Sequence, residues 1–232
     1  MIVVITGASK GIGYELVKSF LNSQYLVIAA SRNTKSLEQL VKKENATNVL
    51  AIKTDITKEK DRKRLFDICK RLNKPVIALI NNAGFLTKKP FAKTTEKDLI
   101  QAYSVNAFAP YLLTQKLIPL LSKGKERSHV VNISSMGGVQ GSVKFPELSA
   151  YASSKSALCG MTECLAVELS EKNISINALA IGAVNTEMLK QAFPGYKALV
   201  NPNKMAAFIH DFALNSGKMM NGKIIQVSLS TP

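Results

Sequence analysis

Seven short apolar runs, at 2–6, 25–30, 49–54, 76–81, 128–134, 174–180 and 223–229, recur along the chain with helical patterns between them. This alternation limits the possible folds more than any other feature. Strand-sized apolar runs separated by helix-length segments join parallel neighbours through crossovers, and near-continuous apolarity marks strands covered on both faces. The expectation is therefore an α/β fold, a doubly wound parallel sheet of about seven strands with helices on both faces. The helical pattern near 58–72 fits that plan, with Leu65, Ile68, Cys69 and Leu72 inward and Lys58, Lys60, Arg62, Lys63 and Arg64 on a solvated face. The 232 residues suffice for one well-buried core, and no linker, repeat or low-complexity tract interrupts them, so a single domain over 1–232 is expected.

Four local patterns carry chemistry. The first is MIVVITGASKGIG, where the strand Ile2–Ile5 runs into glycines at 7, 11 and 13 and then into an amphipathic helix from Ile12 to Leu21. Glycine permits the tight turn and close backbone approach to a phosphate, and the helix N-terminus offers unpaired N–H groups. The second is NNAG at 81–84, small residues and amides at the carboxyl end of a strand, where a parallel sheet places the floor of a ligand crevice. The third is VVNISSMGG, a strand ending in the hydroxyls of Ser134 and Ser135, suited to bind a substrate oxygen. The fourth is Tyr151 and Lys155 in YASSK. Four residues apart on a helix they share one face, so the ammonium favours the ionised phenol and lets it pass a proton.

Together TGASKGIG, NNAG and YASSK resemble the short-chain dehydrogenase/reductase family over nearly the whole chain, which implies a Rossmann-like fold. The resemblance implies Ser135 as catalytic serine, Tyr151 as acid or base, and Lys155 as the ribose-binding residue that lowers the tyrosine pKa. Asn106, in YSVNAFAP, matches the fourth catalytic member, an asparagine that holds a water linking the lysine to solvent. Pro110 lies four residues beyond it and cannot donate to the Asn106 carbonyl. The implied cofactor contacts are Gly7, Ser9, Lys10, Gly11, Ile12 and Gly13 in the loop, Asp55 and Ile56 after the third strand, and Asn82, Ala83 and Gly84 after the fourth. Gly182, Val184 and Thr186 would hold the nicotinamide end, beside Tyr151 and Lys155. Asp55 reads equally as a helix cap or turn residue.

The second strand ends VIAASRN, with Arg32 where a site selecting NAD would place an acid, and Lys10 adds a second cation. A ribose 2′-phosphate wants cations, so the expected cofactor is NADP(H). The C-terminal third departs from the family pattern. Ile181 stands where a proline is common, the loop from Met136 to Ala150 is longer than usual, and the segment from Glu187 to about Asn203 is short. No glycine pair follows the last strand.

Cys69, Cys159 and Cys164 are scattered and lack metal-ligand spacing, and His129 and His210 are isolated, so no metal site is expected. With a first strand beginning at Ile2 and no apolar run of the roughly 20 residues that span a bilayer, a soluble cytoplasmic protein without membrane association is expected. The formal charge of +15 is spread over lysines on most helices, without an arginine-rich arm or aromatic interleaving, so no specific nucleic-acid partner is implied. An acyl carrier protein is a further candidate partner, for which Lys172 resembles a docking residue of ketoacyl-carrier reductases. The patterns near 96–122 and 150–169 bury more than one face, and in the resembled family such helices form the interfaces of a homo-oligomer, a tetramer or dimer. The function implied is NADPH-dependent reduction of a small-molecule ketone or aldehyde. The alternatives are a 3-oxoacyl carrier-protein reductase and a non-enzymatic NADP-sensing regulator.

Overall fold

A computed structural model of the protein describes residues 1–21 and 23–229. The seven strands are β1 (Ile2–Thr6), β2 (Leu26–Ser31), β3 (Val49–Lys53), β4 (Val76–Asn81), β5 (Ser128–Ser135), β6 (Ile174–Ile181) and β7 (Ile224–Val227). They form one sheet in the order β3-β2-β1-β4-β5-β6-β7, and every pairing is parallel. The expected windows match, with the last strand shorter than 223–229. The helices are α1 (Gly11–Ser19), α2 (Lys35–Lys43), α3 (Glu59–Arg71), α4 (Glu96–Tyr103), α5 (Ala109–Leu121), α6 (Ser149–Glu168), α7 (Glu187–Ala192) and α8 (Pro202–Asn215).

Alternation along the strands feeds two cores. Val3 and Ile5 of β1 point to one face, where they meet Leu16 of α1, Phe20 just past it, Leu37 of α2 and Ile209 and Phe212 of α8. Ile2 and Val4 point to the other, covered by Leu65 of α3, Leu113 and Leu117 of α5 and Leu165 of α6. The fold is the doubly wound α/β sheet. Its chain runs outward from β1 to β3 and then crosses back to β4, so the sheet order reverses between β1 and β4. The crevice beyond the carboxyl ends of those two strands is where such sheets bind ligands.

Two expectations fail locally. The pattern near 96–122 is broken into α4 and α5 by a π-helical stretch, Ser104–Phe108, in which the Ala109 N–H reaches back to the Ser104 carbonyl. Pro110, lacking an N–H, cannot complete the ordinary α bond to Asn106, and the widened turn absorbs the missing donor. Arg62, expected on the solvated face of α3, is buried in line with Leu65 and Cys69. Its guanidinium donates from Nη1 to the Ile56 carbonyl at 2.8 Å. That carbonyl lies in the turn after β3, so a long cation caps it from below.

His129 is buried in β5, its Nδ1 3.2 Å from the Ala213 carbonyl and its Nε2 2.9 Å from the Asn177 amide. Burial pushes its pKa down to about 4, which keeps the ring neutral and structural. Among the described residues no helix is long and apolar enough to cross a membrane.

Candidate active site

The glycine loop is shaped by the segment after β4. Gly7 and Gly11 have φ of +65° and +56°, the left-handed region that favours glycine. A Cβ on Gly7 would lie 2.7 Å from the Cα of Ala83, and one on Gly13 would overlap the Gly7 carbonyl oxygen. The Asn82 amide donates to the Thr6 and Gly7 carbonyls at 2.9 and 3.2 Å, and the Ala83 N–H donates to the Thr6 hydroxyl at 3.1 Å. The Asn82 side chain is thus spent on bracing the loop, although Asn82, Ala83 and Gly84 all border the cavity. Asn81, one residue earlier, starts a buried relay. It donates to Asn132 at 2.8 Å, and Asn132 donates to Thr162 at 2.9 Å, tying β4 and β5 to α6.

Around the end of β2, Ser9, Lys10 and Arg32 border the same cavity, and so do Lys35, Ser36 and Gln39 of α2. The α2 residues were not legible in the sequence, where the helical pattern gave no reason to turn that end of the helix toward the site. Ser31 donates to Ser9 at 2.7 Å, and the Ser36 hydroxyl donates to the Ser9 carbonyl at the same distance, so the loop is tied to the end of β2 and to α2. Asp55 and Ile56 border the cavity, and Asp55 also forms a turn, the other of its two readings. Its Oδ1 accepts from the Thr57 N–H and hydroxyl at 3.1 and 2.7 Å, while the Asp55 N–H donates to Asp61 at 2.8 Å. Burial works to raise the Asp55 carboxyl, but the Thr57 hydrogen bonds and the charges of Lys58 and Arg32 outweigh it and leave the group below the ordinary carboxylate range. With Arg62 beneath Ile56, the Asp55–Ile56 turn is clamped by two successive residues of α3.

Ser135, Tyr151 and Lys155 meet where β5 ends and α6 begins, and all three border the cavity. Alternation along β5 divides the two serines. Ser135 faces the cavity and hydrogen-bonds the Tyr151 phenol. Ser134 also lines the cavity but is buried, and its hydroxyl is engaged, donating to the Lys155 carbonyl at 3.0 Å and accepting from the Cys159 thiol at 3.2 Å, so it serves as a strut. The Lys155 ammonium is buried and donates to the Ile133 carbonyl at 2.7 Å, and burial lowers its pKa to about 8. The expected depression of the tyrosine is not what the structure gives. Burial raises the Tyr151 phenol and only the Ser135 hydrogen bond counters it. The Lys155 ammonium is directed to the strand carbonyl instead. Gly138 permits this packing, since a Cβ there would lie 2.8 Å from the Lys155 carbonyl carbon.

Asn106, fully buried in the π-helical stretch, does not border the cavity. Its Oδ1 accepts from the Phe85 N–H at 2.8 Å, and its amide donates to the Phe85 carbonyl at 2.8 Å and to Ser154 at 2.9 Å. It joins the segment after NNAG to the residue beside Lys155.

Past β6, Gly182, Val184 and Thr186 border the cavity. The Ile181 substitution for proline lets the strand continue, paired with Ser135 on one side and Val227 on the other. Thr186 caps α7 by accepting from the Leu189 N–H at 3.2 Å, and its methyl faces Gly11, 3.5 Å from where a Cβ would stand. The Phe145 and Phe193 rings meet edge-on at 5.0 Å, bridging the long loop and the end of α7. Lys88 reinforces that bridge, donating to the Ala192 carbonyl at 2.9 Å and pairing with Glu147 at 3.7 Å.

The cavity so enclosed measures about 1520 Å³. Pockets for drug-sized ligands measure roughly 300–1,000 Å³, so this space is large enough for a dinucleotide with a second molecule beside it. A family model described as short chain dehydrogenase matches residues 1–197. The chain belongs to the short-chain dehydrogenase family. Among relatives, it is 31% identical over 186 residues to 3-amino-tetrahydro-pyrrolizinone reductase of Xenorhabdus hominickii, covering 79% of this chain and 62% of that protein. It is 30% identical over 195 residues to a 3-oxoacyl-[acyl-carrier-protein] reductase of Thermotoga maritima, covering 82% and 76%. A solved 7α-hydroxysteroid dehydrogenase, complexed with NADH and 7-oxo glycochenodeoxycholic acid, superposes with a TM-score of 0.87 at 28% identity, covering 97% of this chain and 92% of that one. The solved dehydrogenase shares the fold, and the substrates in the three proteins' names differ.

Proposed function

We propose that the protein is a single-domain, cytoplasmic, NADP(H)-dependent oxidoreductase that reduces a ketone or aldehyde carbonyl to an alcohol. The observation that carries the reading is the convergence of the Ser135 hydroxyl, the Tyr151 phenol and the buried Lys155 ammonium on one cavity with the braced glycine loop. The donor set suits the cofactor. Glycine N–H groups and the start of α1 face the pyrophosphate position, and Lys10, Arg32 and Lys35 offer cations where a 2′-phosphate would lie. A bound NADPH supplies the hydride. Ser135 and Tyr151 hydrogen-bond the carbonyl oxygen, which makes its carbon electrophilic and holds it in place. As charge grows on that oxygen, Tyr151 gives up its proton, and a phenol is the stronger acid against an alkoxide even when burial has raised it. Lys155 would stabilise the phenolate by turning its ammonium from the Ile133 carbonyl toward it, and Asn106 with Ser154 keeps the adjoining chain in register while the proton is replaced.

Incubation with NADPH and a panel of ketones, aldehydes, pterins and 3-oxoacyl carrier thioesters tests the reading by cofactor oxidation. Turnover of at least one carbonyl is expected. Binding of NADPH with no turnover anywhere in the panel would move the assignment to the NADP-sensing regulator, and turnover confined to carrier thioesters would move it to the carrier reductase.

The proposal includes a homo-oligomer, tetramer or dimer. On α4, the π-helical stretch and α5, Leu99, Ile100, Phe108, Tyr111 and Leu112 expose 37–56% of their surface, apolar area that a partner subunit would cover. Light scattering at micromolar concentration is expected to give a multiple of the 25.2 kDa chain mass. A stable monomer would contradict it.

A further inference from the structure

Beyond the catalytic groups, the cavity is walled by the loop between Ser135 and Tyr151 and by α7. That wall has apolar side chains, Val143, Phe145, Leu148 and Met188 among them, joined by Leu86 from the segment after β4 and by Phe193 just past α7. It is also fixed in shape. The Phe145–Phe193 contact is held from outside by Lys88, which binds the end of α7 and pairs with Glu147, while the Lys89 N–H donates to the Glu147 carbonyl at 2.9 Å. Glu147 adopts a φ of +67°, a left-handed conformation that a non-glycine residue keeps only where its surroundings enforce it.

The charges on this wall are one-sided. Glu187 is the sole carboxylate among the described residues bordering this end, and it is paired with Lys190 at 3.1 Å. Lys144 borders the cavity and has no carboxylate within ion-pairing distance among the described residues. Its ammonium is nevertheless positioned, donating to the Val139 carbonyl at 2.6 Å and to the Ser142 hydroxyl at 2.7 Å. Ser142 in turn ties the loop to itself through the Met136 and Val139 carbonyls at 2.5 and 2.9 Å. An ammonium carries three donors, so with two directed at the loop one remains for a ligand.

Resting on the carbonyl-reductase reading, we infer that the substrate is an amphipathic carbonyl compound, an apolar body packed against the Phe145–Phe193 wall with an anionic group that takes the third donor of Lys144. A positioned cation loses less entropy on binding than a mobile surface lysine. A cationic substrate would meet no free carboxylate there.

The test pairs a neutral cyclic ketone with the same ring bearing a carboxylate side chain. The parent protein is expected to show the lower KM for the carboxylate. Lys144→Met is expected to raise that KM about tenfold, the scale of one lost charge-assisted hydrogen bond, with kcat within about twofold and the neutral ketone unaffected. Lys144→Glu should raise it further. Added salt should weaken the carboxylate alone. Equal losses for both ketones would mean that Lys144 only ties its loop, and the absence of any preference in the parent would overturn the proposal outright. Dissociation constants of the two corresponding alcohols, measured on the NADP-loaded protein, separate this outcome from failure of the carbonyl reading. Lack of turnover with a retained preference for the anionic alcohol sinks the reductase and keeps the anion site, whereas turnover of both ketones without preference sinks the anion site alone.

Discussion

Replacing Tyr151 by phenylalanine is expected to lower turnover of any carbonyl substrate by a factor of roughly 10²–10⁴, the range typical of a lost general acid. The substitution keeps the ring and its packing at the start of α6, and it removes one oxygen that hydrogen-bonds Ser135. Lys155 does not depend on that oxygen for its place, because its ammonium is held by the Ile133 carbonyl. Cofactor affinity should therefore persist while chemistry fails. Single-turnover rates beside NADPH dissociation constants separate the two effects. A variant that reduced its substrate at the parental rate would remove Tyr151 from the mechanism, and one that lost cofactor binding in proportion would recast it as a structural residue.

The next largest effect is expected at Arg32. Changing it to aspartate deletes a cation from the end of β2 and introduces repulsion toward a 2′-phosphate, so the ratio of NADH to NADPH affinity should rise roughly 10²-fold, the scale of a charged hydrogen bond with added repulsion. The change reaches Asp55 too. The Arg32 charge helps to keep that carboxyl ionised, and an aspartate in its place would raise the Asp55 pKa and favour its protonation. Titrating both cofactors against parent and variant decides the matter. A parent that binds NADH as tightly as NADPH would show that the cations at 10, 32 and 35 serve another purpose.

The fold was legible because its central strands are buried on both faces and write largely apolar runs, while the glycines at 7, 11 and 13 mark a loop that needs close backbone approach. Residues that act through their backbone or their position on an element were legible too, and the structure gathers Ser135, Tyr151 and Lys155 on one cavity. Side-chain direction was not. Ser134 and Ser135 look alike in sequence and separate only through strand alternation. The patterning of α3 counts Arg62 as polar, yet a buried carbonyl at Ile56 draws its guanidinium inward. Asn106 and Asn82 carry amides suited to a ligand, and both are engaged by backbone groups brought close by chain segments remote in sequence. The ties that Lys88 and Glu147 make over the far wall depend on three separate segments meeting, which no local pattern records.

The brace that Asn82 and Ala83 lend to the glycine loop has a consequence for how the chain acquires its shape during synthesis. The first three strands and two helices emerge with the loop already among them, and β1 can pair with β2 at once. Its other neighbour, β4, comes only after residue 75, and with it the amide and the backbone that seat Gly7 and Gly13. Until that crossover closes, the nascent segment exposes the β1 edge and a loop free to wander, a state open to unwanted strand pairing. A ribosome-bound fragment ending before β4 would thus carry the phosphate-loop residues without their conformation, and competence to hold a dinucleotide would arrive in one step as the middle of the sheet locks together.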